Sequence, residues 1–112
     1  MFVLDLFCGA GMASDGYRRA GFFPVGVDIN PQPDYPCGFM QEDALGVLSD
    51  HRFLKKFDLI HASPPCQAHT RAKHLRKAQG GESKYPDLLT PTLELLRRQR
   101  VPWVVENVAG AP

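Results

Sequence analysis

Five short apolar runs, each stopped by glycine, proline or an acid, set what this 112-residue chain can fold into. Phe2 to Phe7 ends in Cys8-Gly-Ala-Gly11. Pro24 to Ile29 ends in Asn-Pro-Gln-Pro. Phe39 to Glu42 is a weaker third run, Phe57 to Ser63 is stopped by Pro64-Pro65, and Trp103 to Val108 is the fifth. Between them, Met12 to Ala20 (closed by Gly21), Ala44 to Lys56, and Asp87 to Arg98 with its five leucines read as helices. Residues 31 to 38 hold three prolines and a glycine and read as loop. Apolar strands alternating with helices predict an α/β fold: an open, doubly wound, mostly parallel sheet covered on both faces. The length predicts one domain.

Several classes are disfavoured. No apolar run approaches the ~20 residues a membrane-spanning helix needs. The apolar start carries Asp5 and has no basic segment before it, so it reads as a strand and not a signal peptide. The three cysteines, at 8, 37 and 66, are odd in number and far apart, which fits free thiols in a reducing cytoplasm. Neither they nor the four histidines, at 51, 61, 69 and 74, have metal-ligand spacing, and no metal is expected. A formal net charge of +1 argues neither for nor against a polyanionic partner.

In an open parallel sheet, ligands bind at the carboxyl ends of the strands. The residues with chemical potential fall there: the Cys-Gly-Ala-Gly turn after the first run, Asp28 on the second, Asp43 after the third, Cys66 after the fourth and Glu106 near the end of the fifth. Glycines in a tight strand-to-helix turn let the backbone approach a ligand. Asp28, 17 residues beyond Gly11, is placed to bind the two hydroxyls of a ribose. With no GxGxxG spacing and no GKS or GKT, a compact nucleoside ligand is favoured over a dinucleotide or a triphosphate. Asp43 equally suits a solvated helix N-cap, and the two roles are compatible.

Cys66 raises the sharpest question. A free cysteine is most often a small buried apolar residue. Here Pro64 and Pro65 fix two φ angles and stiffen the turn just before it. Arg71, Lys73, Arg76 and Lys77 follow with no acid between them, and positive charge favours thiolate, the nucleophilic form. The same basic stretch reads either as a solvated loop or as a flap contacting phosphates. Arg97, Arg98 and Arg100 suit the end of a helix. Glu106, between valines in Val-Val-Glu-Asn-Val, is expected to be buried. It then either sits in an ion pair or has a raised pKa and a proton to donate.

Taken in order, DLFCGAG, the acid of VGVDIN, the Asp of QEDA, PPCQ and, 39 residues on, ENV resemble the motifs of the C5-cytosine DNA methyltransferases, from Phe2 to about Val108. The resemblance implies a partial Rossmann-like, class I S-adenosylmethionine-dependent methyltransferase fold across residues 1–112. Phe7, Gly9, Ala10 and Gly11 would line the S-adenosylmethionine pocket. Asp28 would hold the ribose hydroxyls with Ile29 against the adenine, Asp43 would bind the adenine amino group, and Leu88 would help wall the pocket. Cys66 would attack C6 of a flipped cytosine and Glu106 would contact N3 and the exocyclic amine. Gln67, Arg71, Lys73, Arg76 and Lys77 would face nucleic acid.

The chain also departs from the family pattern. Ile29 replaces a common aromatic. Ala-His-Thr-Arg follows PPCQ, and Thr70-Arg71 resembles the tRNA-methylating branch, which makes tRNA an alternative acceptor. The later arginine-bearing motif and a target-recognition domain have no counterpart. This predicts a fragment, or a half-enzyme completed by a second chain; the rival is a binding module that does no chemistry. An amino-group methyltransferase is disfavoured by Ser63-Pro-Pro-Cys66.

Overall fold

A computed structural model describes residues 1–65 and 88–106. Within them β1 (Phe2–Leu6), β2 (Phe23–Asp28), β3 (Gly38–Gln41), β4 (Leu59–Ala62) and β5 (Trp103–Val105) form one sheet in the order β3-β2-β1-β4-β5. All four neighbouring pairs are parallel. The described helices are α1 (Met12–Arg19), α2 (Ala44–Leu48), α3 (His51–Leu54) and α4 (Leu89–Arg97). This is a partial Rossmann-like α/β architecture. The chain builds outward from β1 to β3, then returns to the other side of β1 for β4 and β5. The strand order therefore reverses between β1 and β4, the place where open α/β sheets form their ligand crevice.

One expected element is divided. The helix read over Ala44 to Lys56 is two short helices, because Asp50 caps α3 by accepting from the Phe53 N–H at 3.2 Å while Ser49 closes α2. A side chain that satisfies a new N-terminus competes with continuation of the old helix. The strands are shorter than the apolar runs, with β5 ending at Val105.

The two faces of the sheet differ in kind. Leu4, Leu6, Val27, Ile60 and Ala62 point to one face and form the core with Ala44, Val47, Leu48, Leu54, Phe57 and Leu96 from the helices and turns. Their register partners' neighbours, Asp5, Gly26 and His61, lie side by side on the opposite face, beneath α1. That face is built from hydrogen bonds as much as from apolar contact.

The crossover from β2 to β3 is unusually short. Parallel strands normally need a connection of a dozen or more residues, mostly helical. Here residues 29–37 suffice and form no helix. Tyr35, 9% exposed, takes the place a helix side chain would fill. Its ring lies over Gly11 and Gly26 and stands 5.7 Å from the ring of Phe39. Its hydroxyl meets Ser14 Oγ on α1.

Candidate active site

The glycine turn after β1 is held in an uncommon conformation. Phe7, Gly9 and Gly11 all have positive φ, at 57°, 53° and 97°. For Phe7, a residue with a Cβ, that costs roughly 1–2 kcal/mol. The turn is fixed by Gly11 N–H to Cys8 O at 3.1 Å and Cys8 N–H to Val27 O at 3.0 Å. Asp28 is central to it: Oδ2 accepts from the Gly9 N–H at 3.0 Å and Oδ1 from the Asn30 N–H at 2.9 Å. One carboxylate thus joins the ends of β1 and β2. Each oxygen keeps acceptor capacity for a further donor.

The residues expected to form a nucleoside pocket share this edge. A Cβ added at Gly9 would meet nothing within 4 Å, so the turn opens onto free space there. Ala10 is exposed, and Ile29 is 66% exposed at the tip of β2, an apolar side chain with no packing role. Asp43 is exposed and caps α2, accepting from the Leu45 N–H at 3.1 Å. Leu88 is half-buried at the start of α4, where its carbonyl accepts from the Thr92 hydroxyl at 2.6 Å. A helix that follows a strand in this topology begins at the carboxyl edge, which brings Leu88 to the same side as Asp28 and Asp43. Open space, carboxylate acceptors and an exposed apolar side chain fit a nucleoside-bearing cofactor.

Cys66, Gln67, Arg71, Lys73, Arg76 and Lys77 lie outside the described residues. The segment leading to them is well placed. Ser63 N–H donates to Leu6 O at 3.2 Å, and Pro64 is fully buried. The end of β4 thus lies against the end of β1, where the glycine turn begins. Cys8, the nearby thiol, is no rival nucleophile: burial, with Asp5 and Asp28 close by, pushes it up to about 12, so it stays protonated at neutral pH.

Glu106 corrects the sequence reading. It was expected buried between valines, but it follows β5 at the sheet's edge and its side chain is 61% exposed. Its N–H donates to Ala62 O at 2.9 Å, which sets it alongside Ser63. The Ser63 hydroxyl donates to Glu106 Oε1 at 3.3 Å, and His61 Nε2 stands 3.2 Å from the same oxygen. No site role was read from sequence for His61, Ser63 or Tyr17. The available signal was alternation: from Leu59 to Ser63, His61 and Ser63 are polar at period two among apolar residues.

Asp5 was also passed over. It is 1% exposed in mid-strand, takes the Ser14 hydroxyl on Oδ2 at 2.5 Å, and leaves Oδ1 without a partner among the described residues. Burial raises its pKa, against the lowering effect of the Ser14 hydrogen bond. A raised folded-state pKa means that this group's stabilisation is complete below the unfolded value of 3.8 and is lost as pH rises through the folded value. Asp5 therefore costs the fold more at neutral pH than in acid. Asp5→Asn is expected to gain about 1 kcal/mol at pH 7, an ordinary single-substitution effect, with the gain vanishing towards pH ~4. Urea unfolding across that range measures it, and a gain that grows on acidification would contradict the assignment.

Among the described residues no helix is long and apolar enough to cross a membrane, and no group of three or more His, Cys, Asp or Glu could hold a metal ion.

Two curated proteins are similar in sequence to this chain. The chain is 35% identical over 81 residues to the Type II methyltransferase M1.HphI of Haemophilus parahaemolyticus, covering 62% of the chain and 22% of that protein. It is 32% identical over 102 residues to a Frog virus 3 (isolate Goorha) protein named "Probable DNA (cytosine-5)-methyltransferase", covering 88% of the chain and 45% of that protein. The chain thus spans less than half the length of either relative. No family model and no solved structure matches.

Proposed function

From its similarity to a Type II methyltransferase and to a protein named as a probable DNA (cytosine-5)-methyltransferase, we propose that this chain is the cofactor-binding and nucleophile portion of an enzyme that methylates C5 of cytosine in DNA, using S-adenosylmethionine. The observation that carries the reading is the junction of β4 and β5. There Glu106 is bonded to the strand that leads directly into Cys66, next to a turn suited to a nucleoside.

In this reading Asp28 accepts the ribose hydroxyls while still bracing Gly9, Ile29 and Leu88 border the adenine, and Asp43 accepts from its amino group. Phe7, Gly9, Ala10 and Gly11 form the floor. Bound S-adenosylmethionine supplies an electrophilic methyl group. The chain's own part is to activate the acceptor. A cytosine ring must be approached from both faces, so the base leaves the duplex. The Cys66 thiolate adds to C6, and the displaced ring electrons make C5 nucleophilic. Glu106 supplies a proton or hydrogen bond at N3 as charge gathers there. Loss of the C5 proton then breaks the C6–S bond and restores the thiolate. Gln67, Arg71, Lys73, Arg76 and Lys77 would contact the nucleic acid. A second chain or further sequence would supply target recognition.

The test is transfer of labelled methyl from S-adenosylmethionine to duplex DNA and, in parallel, to tRNA. Label in 5-methylcytosine of DNA supports the proposal; label confined to tRNA reassigns the acceptor. Cofactor binding is measured separately by calorimetry. Asp28→Ala is expected to weaken it by about 1–3 kcal/mol, the cost of losing a charged hydrogen-bond partner. Unchanged affinity would remove Asp28 from the pocket.

A further inference from the structure

The mechanism above gives no task to His61, which is 7% exposed in the middle of β4. A buried imidazole is tolerated when both ring nitrogens have partners. Here Tyr17 Oη lies 2.8 Å from Nδ1, while Nε2 lies 3.0 Å from Ser63 Oγ and 3.2 Å from Glu106 Oε1. The protons can be assigned by chemistry. Oε1 accepts the Ser63 hydroxyl and bears no hydrogen in this arrangement, so Nε2 carries the hydrogen that faces it. Nδ1 then accepts from Tyr17, whose phenol is kept protonated by burial. The groups facing His61 are Asp5, its register partner on β1, Tyr17 from α1, and Glu106 beyond β5.

Glu106 Oε1 therefore receives two hydrogen bonds, from His61 and Ser63, whereas Oε2 receives none from the described residues. We infer that His61 and Ser63 are positioning residues that clamp Oε1 and leave Oε2 as the oxygen that carries the proton and meets the target base. The inference rests on the reading above that Glu106 contacts the cytosine. An oxygen that already accepts twice is the poorer site for a proton, so protonation falls on Oε2. When Oε2–H passes its proton to N3 as the C6–S bond forms, the negative charge left on Glu106 is met by donors already in place. That is stabilisation where charge develops. The proton returns to Oε2 when the C6–S bond breaks. Tyr17 acts one step further back by holding the imidazole in the tautomer that donates through Nε2.

Two independent measurements test this. In ¹⁵N NMR of the 112-residue chain, His61 is expected as the Nε2–H tautomer with Nδ1 an acceptor. Glu106→Gln should shift the Nε2 signal, and Tyr17→Phe should erode the tautomer preference. An Nδ1–H tautomer, or His61 nitrogen signals unmoved by Glu106→Gln, overturns the clamp whatever the activity. In transfer assays, His61→Phe is expected to lower kcat about 100-fold, the scale of a small misplacement in the site, with cofactor affinity unchanged. His61→Gln, which keeps an N–H donor near the Nε2 position, should recover most of the loss, and Ser63→Ala should show a smaller one. Full kcat in His61→Phe overturns the inference. A wild-type chain with the expected tautomer but no transfer to any cytosine acceptor counts against the proposed function and upholds the clamp.

Discussion

Gly26→Val is expected to give no folded protein, and Gly26→Ala to lose about 3 kcal/mol, the upper end of overpacking penalties. Gly26 is the register partner of Asp5 in mid-sheet, where a β-branched residue would ordinarily be favoured. It is glycine because the Tyr35 ring rests on it. A Cβ there would stand 2.6 Å from the Tyr35 hydroxyl oxygen, closer still to the ring carbon that bears it, and 2.8 Å from Cys8 Sγ. Tyr35 cannot retreat easily, since its hydroxyl meets Ser14 and Ser14 is bonded to Asp5. Tyr35→Ala opens room for the new methyl group. Gly26→Ala/Tyr35→Ala should therefore lose less than the two single changes combined, with a coupling of roughly 0.5–3 kcal/mol. Urea unfolding followed by Trp103 fluorescence gives all three values. A Gly26→Ala variant within 0.5 kcal/mol of the parent, the range of an unremarkable surface change, would mean that Tyr35 does not pack there.

Cys66→Ala is expected to lower methyl transfer by about 10⁴-fold or more, the scale seen when a nucleophile is removed. S-adenosylmethionine affinity should be unchanged, because the residues proposed for the cofactor lie in the turn after β1, at the end of β2 and at the starts of α2 and α4. The two readouts together separate three mechanisms. Transfer lost with binding intact fits attack by the thiol at C6. Transfer retained would point to methylation of an amino group, which needs no covalent adduct. Binding lost along with transfer would mean that Cys66 supports the fold. Cys66→Ser is expected to behave like the alanine variant, since a hydroxyl at neutral pH is not ionised.

The sheet was legible because its apolar runs carry their own stop signals, so strand number and alternation with helices could be read off residues such as Gly9, Pro31 and Pro64. The edge on which the glycine turn, Asp28 and Asp43 lie followed from the topology rule. The polar face did not follow. Whether Asp5 and His61 are neighbours depends on register between strands separated by more than fifty positions, and no local pattern encodes it. Glu106 was misjudged because flanking valines suggest burial, whereas its exposure depends on β5 being the outermost strand described. Tyr35 was hidden in a proline-rich loop, where composition indicates a turn but not what the turn covers.

The two unlike faces of the sheet divide the consequences of mutation by parity. Along β1 the even positions, Leu4 and Leu6, face the dry side and the odd position Asp5 faces the network. In β4 Ile60 and Ala62 alternate with His61 in the same way, and Ser63 continues the pattern past the strand's end. A one-residue step along a strand thus moves a substitution from one kind of failure to another: lost cohesion on one side, misdirected protons on the other. Drift in a lineage can therefore degrade the chemistry while leaving the protein folded and abundant, and the reverse drift can soften the fold around an intact proton network.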